Sequence, residues 1–213
     1  MFTRKQMLIF KDTNQVEWML FTSNDSVDYD QDIWMIKNTT ANPSGKGAPL
    51  SETVNSKYNE DNPHLERLGP IDLVLFFDSD NRPGRGSHDI WYSLSRDNGQ
   101  RWSKPVNVST INTMAQEHQP HLFKAKDGIW YLYYSAHGPD GKLAIYRARQ
   151  ANQGNWNSWV DKTLVIGAGN TAGVGEPTVT EDGSISFVVV YHDPNGSNTN
   201  KFDADPWFLP VRK

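Results

Sequence analysis

The 213-residue chain contains no cysteine, which excludes disulfides, thiolate metal ligands and a cysteine nucleophile. Long apolar runs are also missing. The opening MFTRKQMLIFKDT holds only MLIF, short of the roughly 7–15 apolar residues of a secretory signal. No window approaches the roughly 20 apolar residues of a membrane helix, so no membrane partner is expected. Charge never gathers into a block of one sign: 21 Lys and Arg are interspersed with 25 Asp and Glu, for a net charge of -4. A phosphate backbone needs a basic stripe, so nucleic acid is not an expected partner. Apolar residues at helical spacing are absent too, and no amphipathic helix is predicted.

Turn-formers and aromatics are plentiful instead. Aromatic residues make up 12% of the chain, including 8 Trp and 8 Tyr, beside 16 Gly and 12 Pro. Aromatics favour half-buried pleated surfaces, while Gly and Pro punctuate turns, so the composition leans towards β structure.

The chain also repeats itself. NPHLERLGPIDLVLFFDSD from Asn62 and QPHLFKAKDGIWYLYYSAH from Gln119 align without a gap, 57 residues apart. The same step reaches Glu176 in one direction and Lys5 in the other. Each copy opens with a short apolar stretch, turns, and continues into VEWMLF, DLVLFF, IWYLYY or ISFVVV. Their length and β-branched or aromatic content read as strands. A third strand follows in each copy: DIWMIK, DIWYSLS, LAIYRAR and DPWFLPV. A weaker fourth strand appears in the first three copies, as in KPVNVS after Trp102 and DKTLVI after Trp159. The prediction is an all-β chain, a single β-propeller domain over residues 1–213. It has four repeats of about 57 residues, each of four antiparallel strands. The last copy stops some 20 residues short of a full period, so its outer strand is expected to be missing. The N-terminal MFTR, a homo-oligomeric partner or a longer native chain would serve to cover that edge, so the repeats make a small four-bladed propeller or the visible part of a larger ring.

Two stretches carry family resemblances. SRDNGQRW places Ser95, Asp97, Gly99 and Trp102 in the four defining positions of the Asp box. It thereby resembles the BNR repeats of sialidase-like propellers. LFFDSDNRPGRGSHDIW, from Leu75 to Trp91, resembles the PD40 repeat of TolB-like propellers. The Asp box implies a structural turn: a short acid bonds nearby N–H groups, Gly takes a φ that a Cβ resists, and Trp covers the hairpin. The sialidase likeness does not carry the chemistry. The positions matching the sialidase arginines at the inner-strand starts are Lys5, Asn62, Gln119 and Glu176, and none is arginine. A carboxylate clamp needs a bidentate guanidinium.

Residues at equal phase in neighbouring repeats should lie at equal height around a hub. Inner strands alternate their side chains, so Lys5, Asn62, Gln119 and Glu176 would form one ring and Met7, His64, His121 and Thr178 the next. Polar groups converging on a concavity make a candidate ligand site. Three readings stand side by side: polar groups satisfying one another, a carbohydrate or peptide site, and a divalent metal held by His64, His121 and Glu176. In the second, Asn62, His64, Gln119, His121 and Tyr58 bind the ligand. No other cofactor is expected. The propeller resemblance implies carbohydrate recognition of the sialidase and glycoside-hydrolase kind, or a non-catalytic TolB-like protein-interaction role. Its compartment is left open, an extracytoplasmic one being compatible with the resemblance. If the chain is an enzyme, Glu176 is the expected general acid, with Asp61 or Glu117 as base or nucleophile. Glycoside cleavage normally uses a pair of carboxyl groups. Arg82 and Arg85 flank a turn and are expected in solvent. Trp34, Trp91 and Trp207 are expected to pack between repeats.

Overall fold

The structure is a computed structural model and describes residues 7–12, 14–24, 30–41, 45–80, 82–193 and 202–211. Every regular element among the described residues is a strand. The first sheet orders β1 (Met7–Lys11), β2 (Glu17–Ser23), β3 (Asp32–Lys37) and β4 (Ala48–Pro49) in chain sequence. The second does the same with β5 (Glu60–Arg67), β6 (Leu73–Asp80), β7 (His88–Ser95) and β8 (Val106–Asn107). A seven-stranded sheet follows, and it divides naturally in two. β9 (Glu117–Lys124), β10 (Trp130–His137), β11 (Leu143–Gln150) and β12 (Trp159–Ile166) form one antiparallel unit. β13 (Gly173–Val179), β14 (Ile185–His192) and β15 (Phe202–Leu209) form the other, joined to the first by the single parallel pair Leu143 and Gly173. Among the described residues β15 has a strand on one side only.

The sheets stack because their middle strands are apolar on both faces. Along β6, Val74 and Phe76 join Leu122, Leu132, Trp156 and Trp159 in a core shared with the third unit. The alternate residues Leu73, Leu75 and Phe77 join Trp18, Leu20, Ile33 and Trp102 in a core shared with the first. Tyr133 and Ile145 meet Val174, Ile185, Phe187 and Val189 in a third core. Period-two alternation thus serves two interfaces at once. Among the described residues the outermost β15 lacks that second layer, and Trp207 and Phe208 are 51% and 60% exposed. Trp91 packs as expected, at 7% exposed, whereas the expectation of inter-repeat packing fails at Trp207.

The repeat extends to side chains that replace missing ladder partners. Asn55 accepts from Ile33 N at 3.0 Å and donates to Ile33 O at 3.0 Å. Asn112, 57 residues on, holds Ile90 in the same two-ended way at 2.9 and 2.8 Å. Each amide finishes the third strand where the short fourth strand ends. A second repeated device ties the loop before the inner strand. Glu60 accepts from Ser56 N and Oγ, both at 2.7 Å. Glu117 accepts from Thr113 N at 2.9 Å and Oγ1 at 2.6 Å. Arg82, expected in solvent, instead reaches Glu60 at 2.8 Å with its side chain only 11% exposed. Arg85 remains exposed, with Nη1 donating to Asn112 O.

The turn from Ser95 to Trp102 takes the form that its chemistry predicts. Ser95 Oγ accepts from Gly99 N at 2.8 Å, and Gly99 has φ +75°. Asp97 Oδ1 accepts from Gln100 N and Arg101 N, while Oδ2 takes Arg101 Nε at 2.8 Å. The Arg101 hydrogen bonds lower the Asp97 carboxyl to about 2. Trp102 is buried in the second core.

Candidate functional site

One end of the inner strands is deformed in the same way three times. Asn62, Gln119 and Glu176 have φ of +54°, +54° and +56°. Each precedes a proline, which disfavours helical backbone, and a positive φ costs a residue with a side chain. At each the register gains one residue: Asp61 pairs with Asp78 but His64 with Phe76. His118 pairs with Ser135 but His121 with Tyr133, and Gly175 with Val188 but Thr178 with Ser186. Three bulges at one phase re-aim side chains at one place.

That place is a cavity of about 700 Å³. Asp61, Asn62, Asp78, Asp80, Gln119 and Glu176 line it, together with His88, His118 and the amides of Asn24, Gln31 and Asn59. Hydrogen bonds link its walls from unit to unit. Thr22 Oγ1 of the first sheet donates to Asp61 at 2.6 Å. Asp78, buried at 1% exposed, accepts from Asn62 Nδ2 and from Gln119 N, both at 2.7 Å. Gln119 Oε1 in turn accepts from Glu176 N at 2.9 Å. Asp80 takes both Asn59 N and Nδ2. A buried carboxylate shared between sheets in this way fixes their mutual position.

The electrostatics are uneven. Glu176 stands at the exposed rim. Its carboxyl is raised above the ordinary carboxylate range, first by desolvation and then by the charge of Asp61. His88 is lowered by desolvation and by His118, against the opposing pull of Asp78, Asp80 and Asp61. The two imidazoles lie 4.5 Å apart between ring centroids, and His88 Nδ1 is buried without a hydrogen-bond partner. Among the described residues four carboxylates line the cavity and no Lys or Arg does.

The sequence-predicted residues divide. Asn62, Gln119, Glu176 and Asp61 come together in the cavity. Lys5 lies outside the described residues. His64 and His121 do not line the cavity, because the bulge interrupts the two-residue alternation that would have kept them in step with Asn62 and Gln119. They face each other instead, 4.2 Å between centroids. His121 Nε2 accepts from Val179 N at 3.1 Å, and desolvation followed by His64 holds the ring well below the usual histidine range. The three donors His64, His121 and Glu176 therefore do not assemble. Among the described residues no group of three or more His, Asp or Glu is placed to hold a metal. Tyr58 is also off the cavity wall, under the Lys57 ammonium at 5.3 Å. Glu117, expected as an alternative base, is 2% exposed and bound to Thr113, clear of the cavity. Sequence reasoning missed Asp78, Asp80, His88 and His118. The repeat had drawn attention to the inner strand alone, and three of these four stand on β6 and β7.

No protein-family model matches the chain, and no curated protein matches it in sequence. Solved structures do. An endo-arabinase from Bacteroides thetaiotaomicron superposes with a TM-score of 0.68 at 17% identity, covering 97% of this chain and 74% of that one. The catalytic domain of the Coprinopsis cinerea GH62 alpha-L-arabinofuranosidase gives 0.68 at 11% identity, over 97% and 72% of the two chains. The Hadza microbial sialidase Hz136 gives 0.60 at 12% identity, over 98% and 46%. These neighbours have β-propeller glycoside hydrolase folds, and at such identities the likeness is one of fold.

Proposed function

We propose that the chain is a carbohydrate-recognising propeller built from four copies of the 57-residue repeat, the last without its outer strand. Its cavity hydrolyses glycosidic bonds in uncharged glycans, with Glu176 as general acid and Asp61 as base or nucleophile. The observation that carries this reading is the pairing of Glu176 and Asp61 in one cavity, where partial desolvation at the rim and the charge of Asp61 raise the Glu176 carboxyl. An acid must keep its proton while its partner does not, and environments that separate two carboxyls assign these roles. Thr22 and Asn62 each donate to Asp61 and fix its orientation.

The lining also selects substrate. Among the described residues, the lining that a carboxylated sugar would meet holds four carboxylates and no guanidinium or ammonium, so repulsion opposes it and nothing there clamps it. A neutral sugar finds donors and acceptors in Asn24, Gln31, Asn62 and Gln119. The arabinan- and arabinofuranoside-named neighbours fit this charge better than the sialidase does. A panel of aryl glycosides tests the reading. Release from a neutral furanoside or pyranoside is expected, with none from an aryl sialoside. Activity on the sialoside alone, or on no neutral member, contradicts it.

A further inference from the structure

We propose a second ligand site at the opposite ends of the same strands, for a carboxylate carried on a sugar-like ring. Arg67 and Lys124 lie five residues beyond Asn62 and Gln119 on β5 and β9, about 17 Å further along the strands. They occupy the same phase of the repeat. Together with Arg96 they line a cleft of about 300 Å³ between the second and third units, at the small end of the range for ligand pockets.

Its charge is opposite to that of the main cavity. Three cations face one carboxylate, Asp72, in a chain of net negative charge. Arg67 directs its donors to neutral acceptors only: Pro70 O at 2.8 Å, Asn98 Oδ1 at 3.1 Å and Gly69 O at 3.4 Å. Its guanidinium also lies over the Phe10 ring at 5.1 Å, so among the described residues its charge is held in place without a carboxylate partner. Lys124 is exposed and sits 5.4 Å from the Trp130 ring. Arg96, with its side chain 80% exposed, has only Asp72 at 3.7 Å, a weak pair in solvent. The floor of the cleft is apolar beneath a polar and charged rim. Trp130 and Trp156 meet edge to face at 5.5 Å, beside Leu73 and Leu94. A fixed guanidinium, two exposed cations and an apolar floor edged by Trp130 and Trp156 suit a ring bearing an anion better than a bare ion.

The site shares no residue with the hydrolytic cavity, so the two readings fail independently. Ligand-observed NMR titration of the full chain with glucuronate and with glucose tests it. Glucuronate is expected to bind about fivefold or more tightly than glucose at low salt, and to lose that preference at roughly tenfold higher salt. The double variant Arg96→Ala with Lys124→Ala changes two exposed side chains, so the fold is kept. It should weaken glucuronate about fivefold while hydrolysis of a neutral aryl glycoside continues. Glu176→Gln should leave glucuronate binding unchanged. Equal binding of the two sugars, or a double variant that binds like the parent, overturns the site. So does loss of glucuronate binding in Glu176→Gln, which would put the ligand in the main cavity.

Discussion

Replacing Glu176 with glutamine is expected to lower turnover of a neutral glycoside by about 10²–10⁴-fold, the range for loss of a positioned proton donor. Melting should move by no more than about 2 °C. The two effects separate because the Glu176 side chain carries little of the fold. Its backbone N–H, not its carboxylate, makes the hydrogen bond to Gln119, and glutamine keeps that N–H. Removing a carboxyl that desolvation and Asp61 already disfavour as an anion takes away no stabilising charge at neutral pH. The pH dependence has a definite sign. A general acid must be protonated, so activity falls as pH rises through the raised pKa of Glu176, and this basic limb should vanish in the variant's residual activity. Asp61→Asn removes the second of the two causes and should move the Glu176 titration, followed by NMR, to lower pH. An unmoved titration would mean that the two carboxyls do not sense each other.

Glu60→Ala is expected to destabilise the fold by about 3–5 kcal/mol, because it removes one partner of a buried pair and strands the other. Glu60 is fully buried and accepts from Ser56 N, Ser56 Oγ, Ser79 Oγ and Arg82 Nη2. Arg82 remains with Val54 O as its other acceptor, and its side chain is too enclosed for water to replace the carboxylate. Glu117→Ala is the internal control. It breaks the equivalent bonds to Thr113 and leaves behind only the exposed Lys162, which senses Glu117 through its charge without a direct ion pair, and should cost about 1–3 kcal/mol. Urea unfolding of both variants measures the difference. Equal losses would show that the stranded guanidinium is not the source.

The sequence made the repeat legible because the same apolar runs recur at one spacing. The second strands of the two middle units, β6 and β10, carry both faces of the stack and β2 and β14 one face each, so their composition is constrained in every copy. Asn62, Gln119 and Glu176 were readable as a converging set for the same reason. The bulge was not read, although its signal is present: each of the three is followed by proline, at Pro63, Pro120 and Pro177. Strict alternation therefore placed His64 and His121 on the wrong wall. Asp78, Asp80 and His88 escaped because they enter the cavity from neighbouring strands, where no period marks them. Arg82 was read as solvated since its partner Glu60 lies 22 residues away, a pairing that only the folded sheet creates. Trp207 looked like Trp34 and Trp91 by phase, but phase does not reveal whether another sheet lies alongside.

On the proposed function, the cavity at the three bulges receives an uncharged sugar between Glu176 and Asp61. A crystal structure of the Glu176→Gln variant soaked with a neutral arabino-oligosaccharide tests it most directly. The account predicts a sugar ring in that cavity, with its glycosidic oxygen within hydrogen-bond reach of the substituted side chain and its anomeric carbon facing Asp61. An ordered oligosaccharide bound elsewhere on the molecule, with the cavity holding only solvent, would contradict it.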